Sequence, residues 1–441
     1  MKEKVAFLTL GCKVNSYETE AMRGIFEENG YESVDFKEIA DIYVVNTCTV
    51  THIADRKSRQ MLRQAKKRNP EAIIIAVGCY VQSAEEELLE DSAVDIVLGN
   101  NKKSDIINVI NHYKAGKGHG EYLVDINKEN EYEDLNVATA LEKTRAVIKI
   151  QDGCNRFCSY CIIPYVRGRV RSRKMEDVLD EVKRLADNGY KEFVLTGIHL
   201  SSYGIDFPNT KDIYEENPLA KLIVEVANIA GVERIRLGSL EPRIITRKFA
   251  SIIASVDEFC PHFHLSLQSG SNSVLERMNR KYTSEEYYDK ILLLREYFEK
   301  PAFTTDVIVG FPGETDEEFK ESLEFVKKIG FSYIHVFKYS KRKGTVAYKM
   351  DKQVDESVKN NRRNILIEAV EDMSNEYKAS FKGRIEKILI EETIEIAGKS
   401  YQVGHNERYL KLGIESNEDL SNQIISAKVI GDLNEDILLC I

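Results

Sequence analysis

Residues 145–161 read RAVIKIQDGCNRFCSYC, a short apolar run followed at once by three cysteines. The run Ala146–Ile150 has the length and composition of a buried β-strand. The cysteines that follow it, Cys154, Cys158 and Cys161, have the spacing Cys-x3-Cys-x2-Cys. Three thiolates on one short loop can bind three irons of a four-iron cluster and leave the fourth iron open for a ligand. The segment therefore predicts an iron–sulfur loop at the C-terminal end of a strand.

Zinc is the main alternative metal for this loop. A structural zinc ion needs four closed protein ligands, and the sequence has no fourth cysteine or histidine close to the loop. His199, after the next predicted strand, is the nearest spare ligand. Three unconnected buried cysteines are a second alternative, but the flanking Gly153, Asn155 and Arg156 make a poor apolar site. We therefore favour the cluster.

Strands and helices continue to alternate beyond this loop. Further strands are expected at Phe193–Leu195, Arg234–Leu237, His262–Leu267, Phe303–Val309 and Tyr333–Phe337. Together with the first strand they make six strand–helix units over residues 141–375. Six units close most of a βα barrel, in which the chemistry lies at the C-terminal ends of the strands.

Two further domains flank the predicted barrel. Residues 1–115 alternate continuous apolar runs with helix patterns, which predicts a doubly wound parallel sheet. Residues 116–140 are polar and rich in glycine and glutamate, and a linker is expected there. Residues 376–441 contain short apolar runs separated by polar turns, which predicts a small β-barrel. The predicted fold class is α/β with this added barrel.

Three more cysteines follow the first three strands of the N-terminal domain. They are Cys12, Cys48 and Cys79. In a doubly wound sheet the ends of these strands share one edge, so the thiols can meet and bind a second cluster. The alternative is that each is an ordinary buried cysteine. Cys260 and Cys440 match no such pattern, and no function is predicted for them.

The arrangement of both cysteine sets resembles the radical S-adenosylmethionine (SAM) methylthiotransferase family. The resemblance rests on Cys-x3-Cys-x2-Cys with an aromatic residue before its last cysteine, on three cysteines ahead of it, and on a C-terminal barrel similar to a TRAM module. It implies two [4Fe-4S] clusters. The cluster at Cys154, Cys158 and Cys161 would bind and cleave SAM to a 5′-deoxyadenosyl radical, and the cluster at the N-terminal cysteines would deliver sulfur.

Three motifs distinguish the branches of this family. LGCKVN at 10–15, HLSLQSG at 264–270 and FSYIHVF at 331–337 resemble the threonylcarbamoyladenosine branch. Lys13-Val14 replaces the Gln-Met typical of the isopentenyl branch, and Ser266 replaces its proline. The resemblance implies methylthiolation at C2 of N6-threonylcarbamoyladenosine at position 37 of tRNA. The alternatives are isopentenyladenosine 37, an aspartate of a ribosomal protein, or a non-enzymatic RNA-binding protein that holds zinc.

Polar groups near the ends of the predicted barrel strands are candidates to bind SAM. They are Tyr160, Gly197, Ser239, Glu241, Gln268 and Asp306. The resemblance implies that Tyr160 and backbone near Gly310 lie by the adenine. The alternative role of these residues is to form turns and helix caps.

The chain has a net charge of −10, which argues against a protein that coats nucleic acid non-specifically. Local basic patches are nevertheless candidates to bind the anticodon stem-loop of tRNA. These are Arg167, Arg169, Arg171 and Arg173, followed by Arg408 and Tyr409 of the C-terminal barrel, with the helix Arg56–Arg68 as the alternative docking surface. The alternative in each case is an ordinary solvated face.

No apolar run reaches the roughly 18 residues that a membrane-spanning helix needs. The first twelve residues have too short an apolar stretch for a secretion signal. We therefore expect a cytoplasmic enzyme without a membrane partner. Its expected partners, besides tRNA, are a reductant such as flavodoxin or ferredoxin and a sulfur donor.

Overall fold

A computed structural model describes residues 2–116, 120–137 and 144–441, except for the side chains of Glu85, Glu86, Gly120 and Glu121. The N-terminal domain consists of β1 (Lys4–Thr9), α1 (Lys13–Glu28), β2 (Glu32–Val34), β3 (Ile42–Thr47), α2 (His52–Arg68), β4 (Ile73–Gly78), α3 (Cys79–Ser83), α4 (Glu85–Leu89), β5 (Ile96–Leu98), α5 (Ile106–Lys114) and β6 (Gly120–Tyr122). Its six strands are parallel, in the order β2-β1-β3-β4-β5-β6.

Separate apolar cores cover the two faces of this sheet. Met22 and Phe26 of α1 pack on one face with α5, whereas Leu62 and Ala65 of α2 pack on the other. The doubly wound arrangement is as predicted from the continuous apolar strands. The segment expected to be a linker differs in one respect, because β6 belongs to it and extends the sheet at its edge.

The central domain begins with β7 (Arg145–Asp152), α6 (Ile163–Val166), β8 (Arg171–Ser172), α7 (Met175–Asp187), β9 (Glu192–Gly197), α8 (Ile213–Glu216), α9 (Pro218–Ala227), β10 (Arg234–Leu237) and α10 (Arg247–Ala254). It continues with β11 (His262–His264), α11 (Asn272–Arg277), α12 (Ser284–Tyr297), β12 (Ala302–Val309), α13 (Asp316–Ile329) and β13 (Tyr333–Lys338). Short 3-10 turns lie at Lys103–Asp105, Leu200–Ser202, Pro242–Ile244 and Ala347–Lys349.

Six parallel strands of this domain form an open barrel. They run β7-β9-β10 and β11-β12-β13, and bridges from Ile235 to Phe259 and from Leu240 to Leu265 connect the two groups. One large apolar core fills the space between these strands and the outer helices. Alternate residues of β12 and β13 are less buried, and these face the interior of the barrel, called the lumen below.

The C-terminal barrel follows the long helix α14 (Glu356–Ala379) and closes in the order β14-β15-β16-β18-β17. Its strands are β14 (Ile385–Ile396), β15 (Lys399–His405), β16 (Lys411–Glu415), β17 (Ile424–Asp432) and β18 (Ile437–Cys440). Buried Arg234 and Arg236 of β10 donate to its backbone carbonyls at 2.7–3.2 Å and pair with Glu192. The barrel therefore covers the N-terminal ends of the central strands.

The N-terminal domain contacts both edges of the open central sheet. Lys149 of β7 pairs with Glu18 of α1 at 2.8 Å. Beyond β13, Arg342 pairs with Asp55 of α2. Since β7 and β13 are the first and last strands of the open barrel, the N-terminal domain closes the lumen from the side. Every helix in the described part of the chain is too short or too polar to cross a membrane.

Candidate active site

The loop after β7 makes its tight turn at Gly153, which has a φ of +71°. A Cβ atom at this position would lie 1.8 Å from the carbonyl oxygen of Arg169, so only glycine fits. The turn brings the chain directly from the strand end into the three cysteines. The loop therefore lies at the C-terminal end of the barrel, where the sequence predicted it.

The three thiols of this loop lie in one polar neighbourhood. Burial raises the pKa of Cys154 to about 11 and that of Cys161 to about 12, and the nearby Cys158 adds to both. The backbone N–H of Arg156 donates to the Cys154 sulfur at 3.5 Å, and Arg280 donates to the Cys158 sulfur at 3.4 Å. N–H donors aimed at sulfur stabilise cluster thiolates. This donor set fits a four-iron cluster with three protein ligands.

His199 does not complete a zinc site at this loop. Its Nδ1 lies 2.7 Å from the hydroxyl of Ser202, and its Nε2 lies 3.0 Å from the carboxylate of Glu241. Both ring nitrogens thus have partners within the protein. The zinc alternative loses the spare ligand on which it depended.

The N-terminal cysteines meet at one edge of the first sheet. Cys48 and Cys79 directly follow β3 and β4, and Cys12 follows β1 after Leu10 and Gly11. These three strands are neighbours in the sheet. Burial raises the pKa of Cys48 to about 11, and the thiols of Cys79 and Cys12 are near enough to raise it further. Glycine at position 11 leaves room for Cys48, since a Cβ atom on residue 11 would lie 3.0 Å from the Cys48 sulfur. Three thiols for which the described residues show no fourth metal ligand again fit a cluster with an open iron.

A single arginine connects the two cysteine sets. Fully buried Arg167 donates from Nε to the sulfur of Cys79 at 3.2 Å. Its other nitrogens donate to Asn15 and Glu18 of α1 at 2.6 Å, and to Asp152 at 3.1 Å. Asp152 immediately precedes the Cys154 loop. The guanidinium therefore joins a ligand of one set to the backbone that carries the other.

Two carboxylates and two lysines surround Arg167, and all of them are buried. Lys149 lies 2.6 Å from Asp152 and 2.8 Å from Glu18, and Lys103 lies 3.3 Å from Glu18. Burial alone would raise the pKa of Glu18, but Arg167, Lys103 and Lys149 hold that pKa well below its usual range. We call these five side chains the buried network. It rigidly couples the N-terminal domain to the barrel.

Three of the four arginines that were predicted to bind tRNA are inside the protein. Arg167, Arg171 and Arg173 are at most 1% exposed, and Arg173 pairs with Glu181. This prediction is wrong for these residues, because folding pairs Arg167 with Glu18 of α1 and Arg173 with Glu181 of α7. Arg171 donates to the backbone carbonyls of Arg167 and Arg169. Arg169 is exposed, with its guanidinium 4.5 Å from the Phe157 ring.

Arg408 and Tyr409 contact the central domain. Arg408 donates to the carbonyls of Glu299 and Lys300 at 2.9 Å. The Tyr409 ring stacks on His262 and on His405 at centroid distances of 5.4 and 4.4 Å. These contacts hold the C-terminal barrel against the central domain. Tyr409 keeps 38% of its surface exposed, and contact of these two residues with RNA stays a prediction.

The six candidate SAM-binding residues lie on the expected side of the barrel, at or close to the strand ends. Glu241 is buried and binds Arg156 at 2.7 Å as well as His199. Tyr160 lies edge-on to Phe311 beside the cluster loop. Gly197 ends β9, exposed Ser239 follows β10, and Gln268 follows β11 in a left-handed conformation, with φ +70°. Asp306 lies deeper, three residues before the end of β12.

Sequence reasoning missed two features of the site. Arg280, beside Cys158, lies in a polar loop and has no local signal of a sulfur contact. His264, Asp306 and His335 converge in the lumen, with their ligand atoms within 4.8 Å of one another. The pattern of alternate residues on β11–β13 could have indicated that they share a face, but not that they meet.

Comparisons with known proteins match nearly the whole chain. The Radical SAM superfamily model matches residues 148–326, and the Uncharacterized protein family UPF0004 matches residues 4–99. Threonylcarbamoyladenosine tRNA methylthiotransferase MtaB of Bacillus subtilis (strain 168) is 43% identical over 97% of this chain and 93% of its own. The MtaB of Aquifex aeolicus (strain VF5) is 41% identical over 93% and 98%. The tRNA-2-methylthio-N(6)-dimethylallyladenosine synthase of Clostridium tetani is 35% identical over 97% and 93%.

Solved structures support the fold. The radical S-adenosylmethionine methyltransferase TsrM of Kitasatospora setae, with cobalamin and a [4Fe-4S] cluster bound, covers 77% of this chain. The match covers 72% of TsrM with a TM-score of 0.54 and 14% identity, so it bears on the fold alone. Identity to the curated relatives over nearly the full length, together with two cysteine sets built for clusters, decides the family. The chain belongs to the radical SAM methylthiotransferase family, enzymes that use SAM and two [4Fe-4S] clusters.

Proposed function

We propose that this enzyme places a methylthio group on C2 of N6-threonylcarbamoyladenosine at position 37 of tRNA. The observation that carries the proposal is the pair of three-cysteine sites joined through Arg167. When bound, the cluster at Cys154, Cys158 and Cys161 supplies the electron that cleaves SAM, and the cluster at the N-terminal cysteines supplies sulfur. One site for radical formation and one for sulfur delivery are what methylthiolation of a C–H bond needs.

The protein's own contribution is to hold and shield these groups. The buried network is shielded from solvent and joins the segment before Cys154 to α1 and to Cys79. Glu241, held by His199 and Arg156, is positioned to accept hydrogen bonds from the ribose or amino group of SAM. Tyr160 provides an aromatic wall for the adenine. These contacts remain proposals, as do those of Gly197, Ser239 and Gln268, whereas Asp306 lies deeper in β12 and is assigned to the RNA substrate instead.

The choice of target rests on the relatives. Two proteins named for threonylcarbamoyladenosine are 43% and 41% identical to this chain, whereas those named for dimethylallyladenosine are 33–39% identical. The dimethylallyl (isopentenyl) nucleoside is the second candidate, because the relatives named for it match most of this chain. A ribosomal aspartate is a third target of the same chemistry. Flavodoxin or ferredoxin as reductant, and a separate sulfur donor, complete the proposal.

Mass spectrometry of tRNA nucleosides tests this function directly. Reconstituted enzyme, SAM and reductant are incubated with tRNA that carries either threonylcarbamoyladenosine or isopentenyladenosine at position 37. We expect the methylthio product only from the first tRNA. Product only from the isopentenyl tRNA, or from neither, would overturn the proposed target.

A further inference from the structure

The lumen of the central barrel is enclosed on several sides. The cluster loop lies at the C-terminal ends of the strands, the C-terminal barrel covers the N-terminal ends, and the N-terminal domain closes the lateral opening through Lys149 and Arg342. The cluster loop follows β7 at one end of this lumen, so a group that reacts there lies close to it. The side chains on the lumen face of β11–β13 are the ones that such a group would meet.

The lumen face of β13 presents an aromatic row. Tyr333, His335 and Phe337 occupy alternate positions and are exposed, with Tyr333 and Phe337 exposed by 48% and 46%. Tyr333 lies edge-on to His335 at a centroid distance of 4.9 Å. Large aromatic rings left uncovered in an enclosed space are typical of a surface on which a nucleobase stacks. The row thus indicates an aromatic, planar ligand.

Three polar side chains converge beside this row. The Nε2 atom of His264 lies 3.3 Å from Asp306 Oδ2, and its Nδ1 atom lies 3.0 Å from the hydroxyl of Thr304. Asp306 and His335 are cross-strand partners on β12 and β13. Within the described residues, His264 is the one close donor to the Asp306 carboxylate. Among the same residues, the His335 ring neither donates nor accepts a hydrogen bond. Acceptor capacity on Asp306 and both nitrogens of His335 therefore remain for a ligand.

The charge of the surroundings selects the kind of ligand. His335 and Asp306 present donor and acceptor capacity to the same space. A ligand that displays both a carbonyl or carboxylate oxygen and N–H or O–H donors would match the histidines on one side and Asp306 on the other. An isopentenyl group displays neither, and burying Asp306 against it would leave the acceptor capacity that His264 does not use unsatisfied.

We propose that His264, Asp306 and His335 bind the threonylcarbamoyl substituent of the target adenosine, whose base stacks on the aromatic row of β13. Asp306 accepts hydrogen bonds from the N–H or hydroxyl groups of the substituent, and His335 donates to its carbonyl or carboxylate oxygen. The proposal deepens the proposed function and rests on it. It makes these side chains the residues that distinguish the two modified adenosines.

Binding of RNA without turnover tests this site. Dissociation constants are measured with the full-length, cluster-loaded enzyme and two anticodon stem-loops that differ only in whether adenosine 37 carries threonylcarbamoyl. The wild-type enzyme should bind the modified stem-loop more tightly. H335L and D306N should weaken binding of the modified stem-loop roughly tenfold or more and leave the unmodified one within about twofold, since a hydrogen bond to a charged group is removed.

Controls separate this site from a general loss of structure. H112L replaces an exposed histidine on α5 and should change neither constant. Iron content and SAM cleavage without RNA should be unchanged in H335L, because His335 is exposed and outside the apolar core. H335Q, which keeps an N–H donor, should recover part of the preference.

The possible results are distinct. If the wild type does not prefer the modified stem-loop, the proposed function fails. If it does and the variants keep the full preference, the assignment of these three residues is wrong. Two histidines and a carboxylate are also a ligand set for a divalent metal. Stoichiometric Zn²⁺ or Mn²⁺ binding by the cluster-loaded enzyme that is abolished in H335L would overturn the proposal in favour of a metal site.

Discussion

Arg167 shows how one side chain acquires its role from its surroundings. It has no exposed surface, it binds the sulfur of Cys79, and it neutralises Glu18 and Asp152 together with two lysines. A buried charge network of this kind tolerates the loss of one member poorly, because the remaining charges cannot recruit water. Arg167 therefore stabilises the packing of the cluster-free protein, and in the loaded enzyme it lies beside a cluster ligand.

Replacing Arg167 by methionine should destabilise the protein by about 3 kcal/mol or more, since two buried carboxylates lose a partner. Arg169→Met is the matched control, because Arg169 is exposed two residues away. It should change the free energy of unfolding by less than about 0.5 kcal/mol. Urea unfolding of both variants, without clusters and under anaerobic conditions, gives the comparison. Equal stability of the two variants would contradict the buried network.

At the scale of the element, the two cysteine sets belong to separate loops on separate sheets. Each set follows strand ends that local sequence determines, so each should bind its cluster independently. Loaded protein is expected to carry about eight irons per chain, the content of two four-iron clusters. Replacement of Cys154, Cys158 and Cys161 by alanine should lower this to about four, and SAM cleavage should stop.

The reciprocal variant, with Cys12, Cys48 and Cys79 replaced by alanine, should also hold about four irons. It should still cleave SAM but form no methylthio product, because radical formation needs only the barrel loop. Iron analysis and assays for 5′-deoxyadenosine and nucleosides measure these outcomes. Full iron content in either variant would refute two independent sites.

Helix α2 is the better candidate for tRNA docking now that three arginines after the cluster loop are found buried. Arg56, Lys57 and Lys67 lie on its exposed face, and the structure shows no acidic partner for them among the described residues. Their charge is thus available to bind phosphates, in contrast to Lys66, which pairs with Asp95.

The double reversal Arg56→Glu and Lys57→Glu should weaken tRNA binding, because it removes two cations that bind phosphates and adds repulsion. The slope of log Kd against log salt should fall by about one unit for each phosphate that the variant no longer neutralises. Binding titrations at several salt concentrations measure both effects. Lys320→Glu, at an exposed position of α13, is the control and should change neither the affinity for tRNA nor the salt slope. An unchanged slope in the double variant would exclude this face of α2 from docking.

At the scale of the whole molecule, the packing of the three domains encloses the lumen, and the interface beneath it contains the buried His262. Burial holds the pKa of His262 well below its usual value, and Arg236, His264, Lys13 and His405 lower it further. The neutral imidazole stacks on Tyr409 of the C-terminal barrel. A charged imidazole at this position would be repelled by its neighbours.

The sign of the pH effect follows from this lowered pKa. Because protonation is easier in the unfolded chain, the stability that His262 contributes is complete above its unfolded pKa of about 6.5 and declines as the pH falls below it. His262→Gln should flatten the dependence of the unfolding free energy on pH between about pH 6.5 and pH 5. Denaturant unfolding of both proteins across this range is the measurement. Parallel curves would show that His262 does not contribute.

Local sequence was enough to predict the α/β fold with its added β-barrel and to place both cysteine sets at strand ends. Periodicity and apolar runs reflect which faces of a strand or helix are buried, and the cysteine spacing after Ala146–Ile150 defines one loop without any distant interaction. Cys12, Cys48 and Cys79 could be related because parallel topology brings successive strand ends to one edge. The strand β6 was missed because it is short and its polar sequence resembles a linker.

Only the tertiary structure decided which charges are buried and which side chains meet in the lumen. Arg167 and Glu18 are 149 positions apart, and Tyr409 and His262 lie in different domains. A run of arginines has the same composition whether it faces solvent or closes an interface, so composition cannot indicate burial. His264, Asp306 and His335 converge because β11, β12 and β13 pair in one register, and that register is determined by packing over the whole barrel.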